Sequence, residues 1–313
     1  MTGIELARAY WEVYGIPMIR EQFPEYEGII AAALTGSGSE CYGFDDEVSR
    51  DHDFEPGFCL FIPGEEIVDR RTAFQLERAY AKLPAEFEGF RRQKMNPVGG
   101  QRHGVFRIDE YFTDKIGCPA EELTAERWLR LPDYALAEAV NGEVFRDEAG
   151  LLTDCRKILR EMPEDVRRKR LAGHLLLMAQ SGQYNYHRCL KHGETGAAQL
   201  AVGEFVRNTL SAAFLLNRTY MPYYKWSFRA LKVLPGGEDL GRSLEWLLTT
   251  DNSEAMAEDK YFCMEGIASE IIGQLQEQGL TEAVCGDLEK HAYSVNDGIR
   301  DGNIRNLHIL YCV

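Results

Sequence analysis

Two features of the chain have residue types and spacing that could do chemistry, and they lie side by side. The first is "LTGSGSE", Leu34 to Glu40, where two glycine–serine pairs follow an apolar run. The second is "DDEVSRDHDFE", residues 45–55, with Asp45, Asp46, Glu47, Asp51, Asp53 and Glu55 crowded together. Glycine lets backbone approach a phosphate closely, and serine hydroxyls with neighbouring N–H groups donate to phosphate oxygens. Gly36, Ser37 and Ser39 are the candidate phosphate contacts. A dense run of carboxylates repels itself unless positive charge sits among them. Read as a strand, "RDHDF" puts Asp51 and Asp53 on one face and His52 on the other. Two carboxylates about 6–7 Å apart along a strand suit a pair of Mg²⁺ ions, which need only one or two carboxylates besides water and phosphate oxygens.

The turn is neither a P-loop nor G-x-G-x-x-G, since Gly36, Gly38 and Gly43 have the wrong final spacing. A calcium loop lacks its turn glycine here, and Arg50 intrudes. A polar, acidic surface loop is the plainer alternative. The order of parts favours the chemical reading: apolar strand, Gly-Ser turn, spacer, then Asp-x-Asp opening the next extended run.

The elements that must position these residues fall into two regimes. Up to about Cys155, the apolar runs "GIIAAALTG", "FCLFI" and "HGVFRI" read as strands. "EEIVDRRTAFQLERAYAKL", ending at Pro84, has helical spacing, as does the amphipathic N-terminal "MTGIELARAYWEVYG". After Cys155 strand signals stop and every apolar run has helical period. The fold expected is α+β: a small mixed-sheet domain over residues 1–155, then an all-α helical bundle over 156–313.

"LTGSGSECYGFDDEVSRDHD" resembles the signature of the DNA polymerase β-like nucleotidyltransferase superfamily. Its longer form, with "GEVFRDEAGLLTDCRKIL" and "FLLNRTYMPYYKW", resembles a bacterial group whose domain has no established function. The resemblance implies an architecture like that of kanamycin nucleotidyltransferase, with a helical domain completing the cleft. It implies Gly36 and Ser37 on a nucleoside triphosphate, with ATP the first candidate, and Asp51 and Asp53 holding two Mg²⁺ ions. A third carboxylate is usual in that superfamily. Asp109, at the end of "GVFRID", either fills that role as a metal ligand or caps the helix that follows. By analogy, Glu204 is the candidate base that takes the acceptor's proton, with a pKa raised by burial, or else a partner of Arg207. Tyr224 and Lys225 in "NRTYMPYYKW" are candidates for base stacking and phosphate contact, and Arg188 for another phosphate contact.

Composition bounds the partners. A net charge of −15 and the lack of a Lys/Arg stripe argue against a long nucleic-acid track. "RRKR", Arg167 to Arg170, reads as a solvated helix face. No apolar run suits a membrane span. Eight cysteines without a C-x-x-C pair suit a reducing cytoplasm, and homo-oligomerisation stays open. The expected activity is transfer of a nucleoside monophosphate to a hydroxyl of a small molecule or protein. A non-catalytic nucleotide-binding regulator and a toxin-like module with a protein partner are the alternatives.

Overall fold

The computed structural model describes residues 1–49, 54–92 and 102–313. The chain is α+β, with a small mixed sheet in its first half and a helical C-terminal region. Cα packing divides it into two compact units: Met1–Leu123 with Tyr134–Glu161, and Thr124–Asp133 with Met162–Val313.

In the first unit, α1 (Gly3–Tyr10) starts at a capping box. Thr2 Oγ1 accepts the Glu5 N–H at 3.3 Å, and the Glu5 carboxylate accepts the Thr2 N–H at 2.7 Å. A π-helical turn, Trp11–Gly15, leads into α2 (Ile16–Gln22). The sheet holds β1 (Ala31–Leu34) and β2 (Cys59–Ile62), both fully buried, as their unbroken apolar runs require. After α3 (Arg70–Ala81) come the short hairpin β3 (Glu86–Phe87) and β4 (Phe90–Arg91), then β5 (Gly104–Arg107). Next are α4 (Ile108–Ile116), α5 (Ala125–Arg130), α6 (Asp133–Val140), β6 (Glu143–Arg146) and α7 (Leu151–Arg160).

Sheet order is β5-β2-β1-β6; among the described residues only the β2–β5 pairing is parallel. The register Ala33↔Cys59↔Gly104 brings the end of β1, the start of β2 and the start of β5 to one edge. One sheet face packs on an aromatic core in which the Phe58 ring meets Trp11 at 5.2 Å and Tyr80 at 5.0 Å, both edge-on.

In the second unit, α8 (Glu164–Met178) packs against α10 (Thr195–Leu216) and α14 (Leu288–Asp297). A π-helical segment, Ala179–Asn185, joins α8 to α9 (Tyr186–Lys191). The remaining helices are α11 (Tyr224–Leu231), α12 (Gly237–Thr249), α13 (Glu254–Glu277) and α15 (Gly302–Arg305).

The "RRKR" run corrects the expectation of a solvated face: Arg167, Lys169 and Arg170 are buried. Each has partners. Arg167 pairs with Glu164 at 2.8 Å and Arg170 with Asp133 at 2.9 Å. Lys169 Nζ donates to Asn296 Oδ1 at 2.8 Å and to the carbonyls of Arg305 and Leu307 at 3.1 and 2.5 Å. These are the partners a buried cation needs.

Candidate functional site

The turn that follows β1 is built around two glycine-dependent positions. Gly36 has φ +129°, a conformation L side chains rarely adopt. Gly142, in the Asn141–Gly142 turn before β6, has φ +70° and lies so close to β1 that a Cβ would run into the Leu34 carbonyl. That approach delivers Asn141 to the turn. Its Nδ2 donates to the Gly36 carbonyl at 2.7 Å, and its Oδ1 accepts the Gly36 N–H at 3.0 Å. Thr35 Oγ1 lies 3.1 Å from Asn141 Oδ1 and 3.3 Å from the Tyr111 hydroxyl. The Gly36 N–H is therefore committed within the protein, and donors for a ligand begin at Ser37, which is exposed.

Gly36, Ser37 and Gly38 form one wall of a cavity of about 470 Å³. From α4 the wall takes Glu110, Tyr111, Asp114 and Lys115, which share one helix face, and from β5 and its approach it takes Arg102, His103 and Arg107. Two of the cations are paired with carboxylates: Arg102 with Glu40 at 2.8 Å and Lys115 with Glu138 at 3.0 Å. Arg107 donates instead to the uncharged carbonyls of Pro63 and Val68, both at 2.9 Å, so its charge is not cancelled there. Burial raises the Tyr111 phenol pKa well above its ordinary value, despite the bond to Thr35, so Tyr111 is a neutral hydroxyl.

Part of the acidic run has local employment. The Asp45 carboxylate accepts the Gly3 N–H at 2.8 Å, at the N-terminus of α1, where negative charge is favoured. Asp46 Oδ1 accepts both the N–H and the hydroxyl of Ser49 at 2.9 Å. Asp51 and Asp53 lie outside the described residues.

Ser39 opens the 3₁₀ turn Ser39–Tyr42 and its carbonyl accepts the Phe44 N–H at 2.9 Å. Asp109 is not a cap. The N-cap position of α4 is Arg107, and Asp109 is an exposed first-turn residue. Partial burial and the neighbouring Glu121, Glu66, Glu122 and Glu110 raise its pKa. The carboxylates that α4 gives the cavity are Glu110 and Asp114. Among the described residues no three His, Cys, Asp or Glu side chains form a metal-holding group.

The other candidates belong to the second unit. Glu204 sits one helical turn from Asn208, and with Ser211 they follow one face of α10. Burial pushes the Glu204 pKa up, but bonds from Arg207 at 2.7 Å and Asn208 at 3.0 Å outweigh it and hold the carboxyl below its ordinary value. That direction is opposite to the one a general base would need. Arg188 is exposed and lies over the Tyr184 ring at 5.1 Å. Tyr224 is exposed, its ring 4.5 Å from that of Tyr223, and exposed Lys225 lies over Trp226 at 4.9 Å.

Residues 128–227 match a family model described as a domain of unknown function, DUF4037. The match runs from α5 into α11 and includes Asn141. Among solved structures, the crystal structure of a nucleotidyltransferase-like protein from Exiguobacterium sibiricum 255-15 is similar to the chain at 14% identity. The TM-score is 0.38, and the match covers 85% of this chain and 77% of that chain. No curated protein matches the chain. No described helix is long and apolar enough to cross a membrane.

Sequence reasoning missed Asn141, Arg102, Arg107 and the Glu110–Asp114 pair. Asn-Gly is a recognisable turn signal, but nothing local says that its amide reaches a turn 105 residues earlier.

Proposed function

We propose that the chain is a Mg²⁺-dependent nucleotidyltransferase that binds a nucleoside triphosphate, ATP first among candidates, at the Gly36–Gly38 turn. One observation carries the reading: the glycine–serine turn ahead of the Asp-x-Asp motif is pinned by Asn141 and opens onto the largely polar cavity described above. In the reaction proposed, an acceptor hydroxyl attacks the α-phosphorus and the bond to the bridging oxygen breaks. The monophosphate passes to the acceptor oxygen and pyrophosphate leaves. Ser37 supplies donors to the triphosphate, and Arg107 supplies positive charge at the same wall. Asp51 and Asp53 are the residues that would hold Mg²⁺, a donor set that fits a cation satisfied by one or two carboxylates. Bound Mg²⁺ supplies charge neutralisation and polarisation of phosphoryl oxygens.

A non-catalytic nucleotide-binding protein is the second reading. It is favoured by the position of Asp109 outside the cavity wall.

Calorimetric titration of ATP, GTP, CTP and UTP with Mg²⁺, in wild type and in the Asp51→Ala/Asp53→Ala double variant, tests the proposal. Magnesium-dependent binding that disappears in the double variant supports it. Failure of all four nucleotides to bind overturns it.

A further inference from the structure

Five cationic side chains are buried among the described residues: Arg156, Arg167, Lys169, Arg170 and Lys260. Four have a counter-charge or acceptors: those already given for the "RRKR" cations, although Arg170 Nε and Nη1 also lack a hydrogen-bond partner, and Gln199 Oε1 at 3.0 Å and the Thr250 carbonyl at 2.9 Å for Lys260. Arg156 is the exception. It is 2% exposed, on α7, which packs on β2. Its Nε and Nη2 are buried without a hydrogen-bond partner among the described residues.

The groups electrostatically coupled to it do not balance the charge. They are Tyr111, Arg160, Cys59 and Cys41. Burial holds Tyr111, Cys59 and Cys41 protonated and neutral, Cys59 with a pKa pushed up to about 12. Arg160 adds a second positive charge, and its Nη2 donates to the Val140 carbonyl. A guanidinium does not escape by losing its proton, and an uncompensated buried charge is strongly destabilising. Tyr111 and Cys41, two of these neighbours, line the cavity that Gly36–Gly38 walls, and Arg156 lies behind that lining rather than in it.

We propose that Arg156 receives an anion of the phosphate class, entering from the cavity beside Tyr111, and that the guanidinium is left uncompensated until that anion binds. This deepens the nucleotide reading but does not require it, since inorganic phosphate or pyrophosphate carries the same chemistry. Arg156 is a binding residue in this proposal, with no part assigned in bond making or breaking.

The test compares wild type, Arg156→Met and Arg156→Lys by thermal unfolding, alone and with phosphate, pyrophosphate or ATP. Without anion, Arg156→Met unfolds at or above the wild-type Tm, because a flexible apolar side chain replaces an unpaired charge. With pyrophosphate, wild type gains Tm, Arg156→Lys gains less, and Arg156→Met loses the response, a fall in affinity of tenfold or more. Two results overturn the proposal: an equal anion response in wild type and Arg156→Met, or a lower Tm for anion-free Arg156→Met, which would mean that the chain supplies its own counter-charge. If Arg156→Met does not fold, calorimetric titration of wild type and Arg156→Lys with pyrophosphate decides, and equal affinities or no binding refute it. A response to pyrophosphate without one to ATP leaves the anion site standing while the nucleotide reading falls.

Discussion

The side-chain amide of Asn141 pairs with the backbone of Gly36 in both directions, accepting its N–H at 3.0 Å and donating to its carbonyl at 2.7 Å. A side chain thus behaves as a peptide group would in a strand pair and holds the turn where β1 ends. Asn141→Ala leaves the buried Gly36 groups without partners, at a cost of about 1–3 kcal/mol. Asn141→Asp keeps the acceptor and loses the donor, so its loss falls between wild type and Ala. Denaturant unfolding checks the order, and nucleotide titration on the same proteins is expected to weaken in parallel.

Gly36→Ala places a Cβ at φ +129°. Space is not the difficulty, since nothing lies within 4 Å of that Cβ. The strain is in the backbone, and the expected loss is about 1–3 kcal/mol in thermal unfolding. Gly38→Ala differs: its Cβ meets the ends of Glu40 and Arg102, so it displaces that ion pair while the backbone stays relaxed. A smaller loss is expected, with salt reducing the difference from wild type.

His174 gives the folded chain an acid-sensitive window. Asn208 Nδ2 donates to the Glu204 carbonyl at 2.8 Å and to its carboxylate at 3.0 Å, which turns Asn208 Oδ1 toward His174 Nδ1 at 2.8 Å. That network assigns the proton of neutral His174 to Nδ1. Burial, aided by Arg170 and Arg207 and opposed by the Asn208 bond, lowers its pKa from 6.5 to about 4. Between those values the unfolded chain binds the proton and the folded chain does not, so stability rises with pH across the window. The contribution is complete above pH 6.5 and lost as pH falls toward 4, with a slope of up to about 1.4 kcal/mol per pH unit. His174→Gln flattens that part of a stability–pH curve measured by denaturant.

Lys169→Met is the counterpart to Arg156→Met. Lys169 Nζ donates to Asn296 Oδ1 and two backbone carbonyls, and the substitution takes that donor from all three, leaving the Arg305 carbonyl only the Asn296 amide at 3.4 Å. Unfolding at neutral pH is expected to show a loss of about 2–5 kcal/mol. The two buried cations should therefore respond differently to the same substitution in the absence of anions.

Much of the fold was legible in the sequence because local pattern sufficed. "AAAL" and "CLFI" are continuous apolar runs, and both are strands buried on each side. "GVFR" followed by "IDEYFTDKI" is strand then helix, as its change of period indicates. "EVFR" escaped notice as β6 because it is short and half-buried, with charge at both ends. The burial of "RRKR" was invisible for another reason: the Lys169 acceptors lie 127 to 138 residues away. Of the site, the glycine–serine turn was legible from composition, whereas the clamp on it and the cations around it arrive from distant elements.

The Asn141 clamp also has a consequence in time. The chain emerges from the ribosome N-terminus first, and 105 residues separate Gly36 from the side chain that fixes it. Closing a loop of that length costs about 4 kcal/mol beyond a constant term. Until Asn141 and β6 have been synthesised, β1 lacks one of its two strand neighbours, and its wholly apolar edge is open to pairing with other chains. The segment that organises the glycine–serine turn is therefore also the one that ends the nascent chain's exposure to aggregation.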